Sequence, residues 1–172
     1  LTEVFVMGGV AARQAVQKAG ETDLPAIASA ELKAEKDRLA YSPKQPGQKE
    51  KNLRLALKET MWKNAGILRG KNTLGNALDA IEELDALSQN LPRTTGKELR
   101  RFLELKNMLL VSEMVCRAAL KRTESRGSHY RLDHPEEDNK GWLKNTLIRK
   151  EPGRMALEER PVSFDYIEFE DN

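Results

Sequence analysis

Apolar residues recur at helical spacing through most of the chain. Short polar stretches rich in glycine or proline separate the segments that carry this spacing. The pattern predicts five helices, over residues 2–19, 24–40, 49–64, 73–89 and 97–124. The second begins near Pro25, a residue that suits the first turn of a helix. The two prolines and the glycine of 41–47 form the clearest break.

The last and longest helix has the most regular apolar stripe. Thr95 and Glu98 have the spacing of a capping box, which predicts where this helix begins. Its predicted buried face consists of Phe102, Leu105, Leu109, Ser112, Cys116 and Ala119. Shorter stripes on the two preceding helices consist of Leu53, Leu57 and Met61, and of Leu74, Leu78, Ile81 and Leu84. Three amphipathic helices joined by short loops predict an antiparallel, spectrin-repeat-like three-helix bundle.

The pattern changes to strands after residue 146. Pro152 and Gly153 predict the turn of a hairpin between strands at 146–150 and 154–159. Val162, Phe164 and Tyr166 alternate with polar residues and predict one more strand. The predicted fold class is therefore mainly α, with an extra N-terminal helical segment and a small C-terminal β tail.

Composition excludes several kinds of protein. Of 172 residues, 33% are charged and 5% aromatic, which suits a helical protein in water. The net charge of +2 comes from interspersed acids and bases, so nucleic acid is not a predicted partner. The single cysteine, Cys116, excludes an internal disulfide and a cysteine-based zinc site, and we predict that it is buried. Two histidines are too few for a metal site, and no phosphate-binding or nucleophile motif occurs.

The first residues are unusually apolar for the start of a helix. The chain begins at Leu1 without a methionine, and Val4, Phe5, Val6 and Met7 follow. We interpret the chain as a fragment of a longer protein, and we expect this exposed strip to favour self-association. No stretch reaches the roughly 18 apolar residues of a membrane span, and no signal peptide is recognisable, so we expect a cytoplasmic protein.

Residues 122–146 hold the densest set of polar functions. Three arginines in this segment offer planar donors, five acidic residues offer acceptors, and Gly127 permits a sharp exit from the helix. Trp142 adds a large anchor. Such a mixture can join an irregular loop to a neighbouring domain, or it can line a site; the residue types alone leave both interpretations open.

The same segment resembles the C-terminal region of the succinate dehydrogenase/fumarate reductase flavoprotein family. That family reads R-x-E-S-R-G-x-H-x-R-x-D-x-P, followed by an aspartate pair and W-x-K-H-T. The matching residues are Arg122, Glu124, Ser125, Arg126, Gly127, His129, Arg131, Asp133, Pro135, Asp138, Trp142, Lys144 and Thr146. Three residues depart from the family: Ser128 replaces a usual Ala or Gly, Asn139 the second aspartate of the pair, and Asn145 the histidine of the last motif. Residues 1–8, 61–69 and 160–162 are also similar to family segments, whereas 20–50 are the least similar.

The resemblance implies an FAD-dependent parent enzyme that interconverts succinate and fumarate or related substrates. The dinucleotide fingerprint and the catalytic arginine of the family lie upstream of this chain. We therefore expect no catalytic residue here, and neither bound flavin nor activity in the chain alone. Only Leu1 and Thr2 match positions beside the flavin, where a helix N-terminus with its partial positive charge would favour the anionic reduced ring.

The resemblance also implies a domain organisation and partners. Residues 1–40 would be the remnant of the preceding FAD domain, 48–125 the helical bundle, and 126–172 the motif loop and β tail. The partners would be the FAD-binding domain of the same polypeptide, an iron–sulfur subunit, and through it a membrane. We expect Arg126, His129, Arg131 and Asp133 to form part of the contact between domains.

Two other interpretations remain open from the sequence. The chain could be a free-standing helical interaction module without chemistry. It could also be the same domain of a relative such as aspartate oxidase or adenylylsulfate reductase.

Overall fold

The computed structural model describes residues 2–23, 26–40 and 49–164, with only the backbone of residues 2 and 3. Leu1, Pro25 and Tyr166 lie outside the described residues. The chain forms two compact units, residues 1–39 and residues 40–172. The predicted division into 1–40, 48–125 and 126–172 stays a prediction.

Helices α1 (Thr2–Glu21) and α2 (Ser29–Ala40) form the first unit, except that the last residue of α2 is counted with the second. The second helix was predicted to begin at 24, but it begins at Ser29, where the N–H of Leu32 donates to the carbonyl of Ala28 at 3.1 Å. Val4 and Phe5 of α1 are 73% and 75% exposed, and Val6 and Met7 are also exposed. Their predicted role in self-association stays a prediction.

Helices α3 (Glu50–Asn64), α4 (Lys71–Ser88) and α5 (Gly96–Lys121) form a three-helix bundle in the second unit. The predicted stripe of α5 is buried at all six positions. Leu53, Leu57, Leu74 and Ile81 join it from the other two helices, while Met61 and Leu78 pack at its edge. The apolar periodicity therefore predicted the bundle core correctly. Cys116 is fully buried as expected, and burial raises the pKa of its thiol.

Both ends of α5 have defined causes. At its start, the hydroxyl of Thr95 accepts from the N–H of Glu98 at 3.2 Å, and the Glu98 carboxylate accepts from the N–H of Thr95 at 3.0 Å. This confirms the predicted capping box. The helix ends at Lys121, three residues before the predicted end at 124. The side chain of Arg131 binds the carbonyls at this end, as described below.

Two very short strands tie the bundle to the segment that follows it. Strand β1 (Leu68–Arg69) lies between α3 and α4, and it pairs in parallel with β2 (Tyr130–Arg131). The N–H of Leu132 donates to the carbonyl of Arg69 at 2.7 Å. The apolar pattern predicts neither strand, because two residues carry no detectable alternation.

The C-terminal part begins with a single helical turn, α6 (Asn139–Trp142), followed by the hairpin β3 (Lys144–Glu151) and β4 (Arg154–Pro161). The strands are antiparallel, and Glu151 pairs with Arg154 around the Pro152–Gly153 turn. Gly153 has φ of +73°, which a type II turn after proline requires. The hairpin is as predicted, but 162–164 form no further strand.

Among the described residues, no helix combines the length and the apolar character that crossing a membrane would need.

Candidate functional site

The 122–146 segment folds into a group of arginines and carboxylates at one end of the bundle. We call it the arginine–carboxylate cluster; its members are Arg122, Glu124, Arg126, Arg131 and Asp133. Glu124 and Arg131 are almost completely buried, at 0% and 1% exposure. Buried charges are stable only when paired and hydrogen-bonded, and here each has several partners.

Arg131 closes the C-terminal end of α5. Its Nη1 donates to the carbonyls of Ala119 at 2.8 Å, Leu120 at 3.1 Å and Arg122 at 2.8 Å. These carbonyls have no partner within the helix, and a cation at this end also interacts favourably with the helix dipole. One side chain from β2 therefore caps the end of α5.

Asp133 connects Arg131 to the start of α4. The guanidinium of Arg131 donates from Nε to Oδ1 at 2.8 Å and from Nη2 to Oδ2 at 2.7 Å, the bidentate geometry of strong ion pairs. Oδ2 also accepts from the backbone N–H of Lys71 at 3.1 Å, at the N-terminus of α4. The hydrogen bonds from Arg131, reinforced by that of Lys71, hold the pKa of Asp133 far below its usual range. The pair thus joins the end of α5 to the beginning of α4.

Glu124 organises the other half of the cluster. Its carboxylate accepts from Nε and Nη2 of Arg126, both at 2.9 Å, and from the backbone N–H of Asp138 at 2.8 Å. It also pairs with Arg122. Burial by itself would raise the pKa of Glu124, but the hydrogen bonds from Arg126 and Asp138 outweigh it and lower the pKa.

Arg122 and Arg126 extend the cluster outward. Arg122 donates to the carbonyls of Trp142 and Lys144, and its guanidinium lies 5.1 Å from the centre of the Trp142 ring. The indole N–H of Trp142 donates to the Thr123 hydroxyl at 2.8 Å. Arg126 reaches Glu137 and the side chain of Asn139. The cluster therefore fixes the hairpin and α6 against the end of the bundle.

The backbone of the cluster makes a tight turn between Arg126 and His129. Arg126 and His129 exchange both backbone hydrogen bonds, at 2.8 and 3.0 Å, across a two-residue turn. Gly127 has φ of +56°, as the first central residue of a type II′ turn requires. The prediction that Gly127 forms a sharp exit from the helix is wrong, because Gly127 lies six residues beyond the end of α5 and forms this turn instead. The Ser125 hydroxyl accepts from the N–H of Arg131 at 2.8 Å and donates to the carbonyl of His134 at 2.8 Å.

His129 lies next to Arg69 of β1. Its Nδ1 is 3.0 Å from Nη1 of Arg69. Because arginine can only donate, Nδ1 accepts and the neutral ring carries its hydrogen on Nε2. Burial and then the charge of Arg69 lower the pKa of His129.

The four residues that the sequence singled out lie in this one region, with Arg131 and Asp133 in direct contact. Their predicted role between domains stays a prediction. Sequence reasoning assigned no role to Arg69, and it did not anticipate Glu124 as the central acceptor. Only the family pattern, which includes Glu124, could have pointed to it. Among the described residues, no group of His, Cys, Asp and Glu could hold a metal ion.

The position of Leu1 and Thr2 beside a flavin stays a prediction. Leu1 lies outside the described residues, and of Thr2 only the backbone, in the first turn of α1, is described.

Comparison with known proteins identifies the family of the chain. Residues 54–172 match the family described as the C-terminal part of the fumarate reductase flavoprotein. This range contains the bundle core except Leu53, the arginine–carboxylate cluster and the hairpin. The chain belongs to the succinate dehydrogenase/fumarate reductase flavoprotein family, of which it is the C-terminal domain.

Individual relatives agree with this assignment. An uncharacterised FAD-dependent oxidoreductase of Methanocaldococcus jannaschii is 38% identical over 98 residues, which are 57% of this chain and 18% of that protein. The L-aspartate oxidase of Acinetobacter baylyi is 37% identical over 107 residues, which are 62% of this chain and 19% of that protein. The chain thus spans about a fifth of the length of these curated relatives.

A solved structure shows the same fold. The flavoprotein of the E. coli quinol fumarate reductase, in a variant with one substitution, superimposes with a TM-score of 0.78 at 28% identity. The match covers 90% of this chain and 28% of that one. The similarity therefore includes nearly all of this chain and about a quarter of the larger protein.

Proposed function

We propose that the full-length protein is an FAD-dependent oxidoreductase that acts on a small dicarboxylate of the succinate and fumarate type. Its C-terminal domain, the present chain, would support the flavin domain. The observation that carries this proposal is the family's signature segment folded as one connected cluster, with Arg131 and Asp133 joining two helices. Such a cluster gives a rigid end to the bundle, as a supporting domain needs.

An activity assay on the full-length protein tests the proposal. We expect stoichiometric bound flavin and fumarate reduction driven by a chemically reduced viologen dye. A protein without flavin, or with flavin but without activity on any dicarboxylate, would contradict it.

L-Aspartate oxidation is the second candidate, because the L-aspartate oxidase of Acinetobacter baylyi is among the relatives. The two activities separate in one experiment, with succinate and L-aspartate offered in parallel to the same preparation and the same electron-accepting dye. Conversion of L-aspartate to its imino acid, faster than any reaction of succinate, would favour the second candidate. The C-terminal domain lacks the residues that would choose between them.

The flavin would meet this chain at Leu1 and Thr2. When bound, FAD supplies the hydride or electron transfer. The chain's own contribution would be the N-terminus of α1, whose N–H groups and partial charge would stabilise negative charge on the reduced ring. We further propose the flavin domain of the same polypeptide and an iron–sulfur subunit as partners, with membrane association only through partner subunits.

The proposed contact between domains is tested by Arg126→Ala in the full-length protein. Arg126 is suited to this test because its side chain remains 31% exposed, unlike that of Arg131. We expect a lower flavin-to-protein ratio after gel filtration. Arg149→Ala, at a 64% exposed position of β3, is the matched control and should retain flavin. Unchanged flavin retention and stability in Arg126→Ala would exclude this role.

A further inference from the structure

Arg69 differs from the arginines of the arginine–carboxylate cluster in its hydrogen-bond partners. Its Nε donates to the carbonyl of Gly66 at 2.6 Å, and its Nη1 donates to His129. In the part of the chain that the structure describes, it forms no ion pair with a carboxylate. The nearby carboxylates are already engaged, since Asp133 binds Arg131 and Glu124 binds Arg122 and Arg126. The imidazole of His129 is thus the side chain that accepts from Arg69.

The surroundings of His129 are positively charged on each packed side. Arg69 approaches from β1, Arg122 from the end of α5, and Arg131 from β2. Nε2 is buried and makes no hydrogen bond within the described residues, and the nearby carbonyl of Arg122 opposes the effect of these charges only in part. A second proton on the ring would therefore add a cation among three guanidinium groups.

We propose that His129 is a pH-sensitive latch that holds β1 against β2 when neutral and releases it when protonated. Protonation of Nδ1 would remove the acceptor of the Arg69 hydrogen bond, because an imidazolium can only donate. Arg69 and the imidazolium would then repel each other at the distance of the former bond. The parallel pair has only two residues in each strand, so few backbone bonds hold it, and the contact of Asp133 with the N–H of Lys71 lies just beyond it.

The direction of the pH effect follows from proton linkage. The pKa of His129 is lower in the folded pair than its ordinary 6.5. The strand pair is therefore most stable above pH 6.5. It loses stability as the pH falls from 6.5 towards the lower pKa that His129 has in the folded pair. In that window the opening equilibrium rises by up to about tenfold per pH unit, since opening takes up one proton.

Amide hydrogen exchange of Leu132 measures the latch directly, because its N–H donates to the carbonyl of Arg69 across the strand pair. Between pH 7.5 and 5.0 we expect its protection factor, corrected for intrinsic exchange, to fall severalfold or more. His129→Gln keeps an acceptor for Arg69 but cannot be protonated, so its protection should not depend on pH. His134→Gln makes the same change at the other histidine and should behave like the unaltered chain.

Three results would overturn the latch, two of them in the unaltered chain. One is a protection factor of Leu132 in the unaltered chain that does not change with pH. The other is an NMR titration that places the pKa of His129 at or above 6.5, a measurement that needs no variant. An equal loss of protection in His129→Gln would also contradict it, because the loss could not come from protonation of the ring.

Discussion

Single residues carry most of the architecture at the end of the bundle. Arg131 combines three roles: it caps α5, pairs with Asp133 and contributes backbone to β2. A lysine could supply the charge but not the planar fork that reaches carbonyls and carboxylate together. The sequence identified Arg131 and Asp133 through the family pattern. It could not show that they act on the ends of α5 and α4, because these ends become neighbours only in the folded bundle.

Glu124→Gln tests how much the buried carboxylate stabilises the fold. The substitution keeps the shape but leaves Arg122 and Arg126 without their shared acceptor charge, so we expect a loss of about 3–5 kcal/mol in unfolding free energy. Urea denaturation at pH 7 measures it. Glu137→Gln removes a 51% exposed partner of the same Arg126 and should cost no more than about 1 kcal/mol. Equal effects of the two changes would mean that burial of Glu124 is unimportant.

At the scale of elements, the features that depend on neighbouring residues were predicted from the sequence. The pairing of strands far apart in the sequence was not. The stripe of α5 and its capping box lie within one segment, so the sequence is sufficient to place them. The hairpin is also local, since Pro152 and Gly153 set its turn. In contrast, β1 and β2 are about 60 residues apart and too short to show a pattern, so only the structure reveals their pairing.

Leu105→Ala tests the predicted core of α5. Leu105 is 0% exposed, so its truncation should leave a cavity and lower the unfolding free energy by about 2–5 kcal/mol. Leu110→Ala makes the same change on the same helix at a 48% exposed position and should cost about 0.5 kcal/mol. Chemical denaturation of both variants gives the comparison. Similar losses would indicate that the exposed face of α5 is also part of a core.

At the scale of the whole molecule, the hydrophobic core cluster lies within the second unit. Every residue of the hydrophobic core cluster lies between Leu53 and Ala119, so the second unit has a core of its own. The arginine–carboxylate cluster and the hairpin belong to the same unit. Stability of the second unit should therefore respond to the charges of the cluster as well as to its apolar core.

Acid should weaken this unit through the cluster. Hydrogen bonds from Arg131 lower the pKa of Asp133, and those from Arg126 and Asp138 lower the pKa of Glu124 despite its burial. Both carboxylates thus contribute their full stabilisation when the pH is above their ordinary pKa values. They lose this contribution as the pH falls from those values towards the lowered pKa values of the folded state. We expect the melting temperature, followed by circular dichroism, to fall between pH 5 and 3.

A double variant isolates this effect. With Asp133→Asn and Glu124→Gln together, the melting temperature should start lower and depend less on pH in this range. Asp79→Asn, on the exposed face of α4, should leave the pH dependence as it is. A double variant as acid-sensitive as the unaltered chain would place the effect elsewhere.

The sequence by itself determined the helices, the stripe that forms the core, the hairpin turn and the family. Each of these depends on residues close together in the chain, or on a motif of fixed spacing. The tertiary structure decided what the motif residues do. Arg69 and His129, the ends of α4 and α5, and the shared acceptor Glu124 come together only when the bundle folds. Their hydrogen bonds and pKa values depend on that proximity and on burial, which spacing along the chain does not specify.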